Sequence, residues 1–158
     1  MTKEKIQDYT RRISLANKTE MVVILYDILI TYLEDATDAL DREDFNAFSQ
    51  ELERSRNTLR ELMNSVDTGS NLGRTLLRLY VFSMKELTDA FIKKNSAPLF
   101  EVMHIMRELR EAYRYAGERD NSGSVMEHVE TVYTGLTYNR NMRNESVINT
   151  NAGRGILA

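Results

Sequence analysis

The chain has 158 residues, 21 of them basic and 24 acidic, for a net charge of -3, and it contains no cysteine. That length fits one domain around a single core, and the missing cysteine excludes disulfides, thiolate zinc sites and cysteine nucleophiles while suiting a reducing compartment such as the cytoplasm. Both signs of charge are interleaved along the chain, so no positive field is offered to a phosphate backbone and nucleic acid is not an expected partner.

Met1-Thr2-Lys3-Glu4-Lys5 has no apolar h-region behind it, unlike a secretory signal. The longest nearly apolar stretch, Met21 to Leu33, is broken by Asp27 and Thr31. It falls short of the roughly 20 residues that cross a bilayer, so no membrane insertion is expected. One proline and three glycines before residue 120 describe long uninterrupted elements, whereas four of the seven glycines and six of the twelve asparagines fall from Asn121 onward. A boundary near Gly117 to Gly123 follows.

The first strong helix start is Asn17, whose side chain can cap the first turn while Glu20 reaches back to the Asn17 amide. Val22, Tyr26, Leu29, Leu33, Ala36 and Leu40 then recur at steps of four and three on one stripe. The helix is expected to end near Leu40, before Asp41-Arg42-Glu43. A second helix carries Phe45, Phe48, Leu52, Ser55, Leu59, Leu62 and Val66 on its seam, and Asp67-Thr68-Gly69-Ser70-Asn71 breaks it with turn residues. The third runs from about Leu72 to Lys94 with Leu76, Leu79, Tyr80, Met84, Leu87 and Phe91 inward. After Asn95-Ser96-Ala97, Pro98 belongs in the first turn of a fourth helix. That helix has Leu99, Val102, Met106, Leu109, Tyr113 and Ala116 on one face and Gly117 as its stop.

Four helices of similar length joined by short connections predict an all-α fold, an antiparallel up-down-up-down four-helix bundle over residues 17–118. Residues 119–158 form a Gly/Asn-rich tail. Within it Val125, Val129, Val132, Tyr133 and Leu136 share one helical face, which predicts a short fifth helix near 124–138.

Catalytic and metal-binding patterns are sparse. Glu101 and His104 make a single Glu-x-x-His, but the di-metal bundles with that spacing need a second copy and two further glutamates, and Val125 stands three residues before His128. Gly69-Ser70-Asn71-Leu72-Gly73 lacks the lysine and the strand of a phosphate loop. Serines and threonines are many, but without a nearby histidine base none reads as a nucleophile. The chain therefore reads as a protein without cofactor, metal or catalytic residues, whose alternatives are a phosphotransfer bundle acting through His104 and a helical protein that associates with itself.

Apolar surface, by contrast, is in surplus. The first bundle helix has a second row, Met21, Ile24 and Ile28, beside its core stripe, and the third crowds Leu76, Leu77, Leu79, Tyr80, Val81, Phe82 and Met84 into a few turns. A central position in the bundle would cover such rows. So would an incoming helix seated in a groove, or a second copy in a homodimer.

Tyr9, Ile13, Ala16-Asn17-Lys18-Thr19-Glu20 and Leu25-Tyr26-Asp27 resemble the opening of the flagellin export chaperones, the FliS family, where a tyrosine and an aliphatic residue precede Ala-Ser-Pro-Glu-Glu and Leu-Tyr-Asp. Val66-Asp67, the glycine-containing turn, Leu76-Leu77-Arg78-Leu79-Tyr80 and Leu109-Arg110-Glu111-Ala112-Tyr113 continue the likeness in order. Asn17-Lys18 stands for Ser-Pro, Val66 for leucine, Thr75 for asparagine and Tyr113 for tryptophan. The resemblance implies a cytoplasmic chaperone that binds the disordered C-terminal segment of flagellin, prevents its premature polymerisation and presents it to the cytoplasmic domain of the flagellar export gate. It also implies that residues 1–16 fold over the bundle and are displaced by the client. Tyr9, Ile13, Met21, Ile24, Leu25, Ile28, Leu76, Tyr80 and Met84 are the expected groove residues.

Overall fold

The computed structural model describes residues 1–118 and Gly123. Five helices occupy them: α1 (Lys3–Leu15), α2 (Lys18–Asp41), α3 (Phe45–Asn64), α4 (Asn71–Lys93) and α5 (Ala97–Gly117), with no strand among the described residues. The fold is an all-α bundle. The helix expected near 124–138 lies outside the described residues. The fifth helix here is the N-terminal one, a segment to which the sequence pattern assigned no secondary structure.

Each helix start has a chemical cause. The Asn17 side chain accepts from the Glu20 amide at 2.8 Å, and the Glu20 carboxylate accepts from the Asn17 amide at 2.9 Å, closing a capping box. Asp44 and Ser70 accept from the amides of Ala47 and Gly73 at the heads of α3 and α4. Pro98 sits in the first turn of α5. Lys94 ends α4 in the left-handed region, at φ 51°. Its ammonium lies 5.1, 5.5 and 4.6 Å from the ring centres of Phe45, Phe48 and Phe91. Cation–π attraction of about 0.5–1 kcal/mol per ring offsets a backbone cost of roughly 1–2 kcal/mol for a non-glycine residue there.

Helices α2 to α5 form a closed ring in which each packs against the next and α5 returns to α2. The core is the seam residues: Tyr26, Leu29, Leu33, Phe48, Leu52, Leu59, Leu62, Leu87, Leu99, Val102 and Met106 are all fully buried. Ser55 and Ser83 are also fully buried, and each satisfies its hydroxyl on the carbonyl four residues back in its own helix. Across the diagonal of the ring, the hydroxyls of Tyr26 on α2 and Tyr80 on α4 bond to each other. The Tyr113 ring of α5 meets Tyr26 edge-on at 5.7 Å.

Helix α2 is the central element. Its core stripe, Tyr26, Leu29, Leu33 and Ala36, faces the ring, its flanks pack on α3 and α5, and α1 packs on it from outside. The outward side bears Asp27 and Thr31, about half a helical turn from the core stripe. The surplus of apolar residues along α2 thus reflects a helix covered on nearly all sides.

Candidate partner-binding surface

The α1–α2 hairpin turns through Ala16 and Asn17, both buried, so α1 runs back along α2 in the opposite direction. Pairings along the hairpin follow that direction. The Met1 ammonium lies 2.6 Å from an Asp35 carboxylate oxygen, the Tyr9 hydroxyl is 3.0 Å from Thr31 Oγ1, and Arg12 Nη2 donates to Asp27 Oδ2 at 2.7 Å. Tyr9 also donates to the Asp27 carbonyl at 3.3 Å. From the other flank, Arg110 Nη1 of α5 donates to Asp27 Oδ1 at 3.1 Å. The Asp27 side chain is only 11% exposed, so one nearly buried carboxylate joins α1, α2 and α5.

No residue of α1 is buried. Ile13 and Tyr9 are half-buried, while Ile6 and Leu15 stand 50% and 68% exposed. A helix of 13 residues is marginal in water on its own, so α1 is helical because it rests on α2, and chiefly polar contacts hold it there. Beneath the hairpin turn, Arg12, Leu15, Ala16, Glu20 and Ile24 line a surface cleft of about 290 Å³. A neighbouring cleft of about 250 Å³ is lined by Glu20, Val23, Tyr113, Arg114, Gly117 and Glu118, where the head of α2 meets the end of α5.

The nine residues expected at a groove do not form one surface. Tyr9 and Ile13 lie on the α2-facing side of α1, and Ile24 is almost wholly buried, its side bordering the cleft under the turn. Met21, Leu25 and Ile28 are half-buried on α2 and Met84 half-buried on α4. Leu76 and Tyr80 belong to the core and become accessible only if α4 moves. Absent from the expectation was Asp27, and nothing in the sequence announced that arginines from both α1 and α5 converge on it.

The site offers binding chemistry. Burial pushes the Tyr80 hydroxyl up to about 12, helped by Tyr113 and opposed by the bond to Tyr26, and raises Tyr26 and Tyr113 as well. These phenols stay protonated at neutral pH and act as hydrogen-bonding groups. Glu101 and His104 are exposed on α5, and no group of three or more metal-ligating side chains gathers among the described residues.

The family model described as "Flagellar protein FliS" matches residues 1–120. The chain belongs to the FliS family. It is similar to the flagellar secretion chaperone FliS of Bacillus subtilis (strain 168), with 23% identity over 115 residues that span 71% of this chain and 86% of the relative. In this FliS-family chain the shared part therefore coincides with the five described helices, and residues 121–158 lie beyond the family match.

Proposed function

We propose that the protein is a non-enzymatic, cytoplasmic flagellar export chaperone whose client is flagellin. It binds the disordered C-terminal segment of flagellin as helices in apolar grooves, keeps the subunit from polymerising early, and hands it to the cytoplasmic domain of the export gate. The reading is carried by family membership over residues 1–120. The docking of α1 supports it: a marginal helix, held by a few polar contacts, lies over the outer side of the central helix.

In this scheme the client takes the place of α1. Release of Tyr9 and Arg12 frees the outer side of α2, so that Ile24 joins Met21, Leu25 and Ile28 as a track for an amphipathic helix, a helix-in-groove mode. Met84 supplies a deformable contact on α4, and Leu76 and Tyr80 follow only where α4 yields. The contacts that hold α1 are few and mostly charged, so apolar burial by the client can offset their loss. Co-expression with a flagellin of the same cell, followed by size exclusion, tests the proposal. A stable one-to-one complex with flagellin and with its C-terminal segment alone supports it; the absence of both complexes refutes it.

A further inference from the structure

Asp27 is the one charged residue from Met21 to Leu33. Ile24 and Thr31, a turn to either side of it on α2, are buried. A carboxylate in such surroundings opposes its own burial unless donors or cations meet it, and two elements meet it from opposite flanks. Arg110 of α5 holds Oδ1 at 3.1 Å, and Arg12 of α1 holds Oδ2 at 2.7 Å. Helix α5 is part of the closed ring and stays whatever covers α2. Helix α1 is the cover, and in the scheme above it leaves.

Once α1 is gone, water can reach Oδ2 in place of Arg12. A helix that then seals the same side of α2 expels that water. Were its contact side wholly apolar, Oδ2 would be enclosed as a charge with no donor, and the enclosed charge would oppose binding. We infer that the client segment carries a lysine or arginine that takes the place of Arg12 at Asp27 Oδ2. Asp27 thus selects, among apolar helices, those with a basic residue in this register. The inference rests on the reading of α1 as the cover that the client replaces. Helix α1 itself displays the pattern: Tyr9 and Ile13, one turn apart, are half-buried, and Arg12 reaches α2 from the same side.

The test is a calorimetric titration of the flagellin C-terminal segment into the full-length protein. Each lysine and arginine of the segment is replaced in turn by methionine, which keeps a long, adaptable apolar side chain and removes the charge. One replacement should weaken binding to the wild-type protein roughly tenfold, but binding to Asp27→Asn by about twofold or less, because the neutral amide tolerates enclosure better than the carboxylate. Exchanging lysine for arginine at that position should retain most of the affinity. Asp27→Asn also loosens α1 and so raises the affinity of every peptide, but by one common factor, which cancels in the ratio of parent to substituted peptide. Should Asp27→Asn fail to fold, Asp27→Ser serves with the same expectation. If Asp27 only anchors α1, every replacement has the same effect on both proteins. That result, or tight binding of a segment with no lysine or arginine, would overturn the inference while leaving the export-chaperone reading in place. Failure of the unsubstituted segment to bind the wild-type protein would refute that reading, and the inference with it.

Discussion

Replacing Asp27 by asparagine separates the docking of α1 from the stability of the bundle. The carboxylate accepts from Arg12 at 2.7 Å and from Arg110 at 3.1 Å, and these arginine side chains are 36% and 24% exposed. A charge-assisted bond contributes about 1.5–3 kcal/mol when well shielded. With solvent reaching both guanidinium groups, roughly half of that is expected to survive, about 1.1 kcal/mol for the Arg12 arm. At about 1.4 kcal/mol per factor of ten, that is roughly a sixfold change in an equilibrium. Asp27→Asn should therefore raise the open fraction of α1 about sixfold, seen as faster hydrogen exchange of the amides of residues 6–15. The amides of α3, which does not touch Asp27, should follow only the change in global stability. Arg12→Gln should reproduce the α1 effect without disturbing α5. If α1 exchange is unchanged in Asp27→Asn while the melting temperature falls, Asp27 serves α5 alone and the account of α1 as a releasable cover is wrong.

Three further outcomes follow from the core and its turns. Tyr26→Phe or Tyr80→Phe alone strands a buried hydroxyl and should cost about 1–3 kcal/mol in urea unfolding, while the double variant, which strands neither, should be more stable than the sum of the singles implies; strict additivity would show that the two hydroxyls do not interact. Because Tyr80 is raised to about 12 and Tyr26 and Tyr113 are also raised, the unfolded chain loses phenolic protons first. Stability should be full below pH 10 and decline from pH 10 toward 12, with far-UV dichroism and tyrosinate absorbance changing together. Gly73→Ala should destabilise by about 1–3 kcal/mol, since an added Cβ would lie 1.8 Å from the Asp67 carbonyl oxygen. Gly117→Ala, which meets only Thr19 Cγ2 at 3.3 Å, should shift the melting temperature far less.

The bundle was legible in the sequence because its signals are local and redundant. A three-four repeat runs through Phe48, Leu52, Ser55, Leu59 and Leu62, and the cap at Asn17 marks where a helix begins. Helix α1 was not legible as a helix. Its apolar stripe is only Ile6, Tyr9 and Ile13, its other residues are polar, and its order depends on α2, a tertiary effect that periodicity does not register. The candidate surface was legible only in part. Apolar residues at Met21, Ile24 and Ile28 signalled more coverage than one seam requires, but a half-turn of helix decides between core and surface, and Tyr80, inward on its seam as the pattern predicts, is tied into the core by its bond with Tyr26. The convergence on Asp27 joins positions 12, 27 and 110, distant in sequence and brought together only by the packing of α1 and α5 on α2.

The most direct test of the account is a titration of the flagellin C-terminal segment into the isotopically labelled full-length protein, with the amide resonances of α1 followed by NMR. The account predicts that at one equivalent the resonances of residues 3–15 move to the positions of an unfolded peptide while those of α3 remain dispersed. Binding that leaves the α1 resonances in place, or no binding at all, would contradict it.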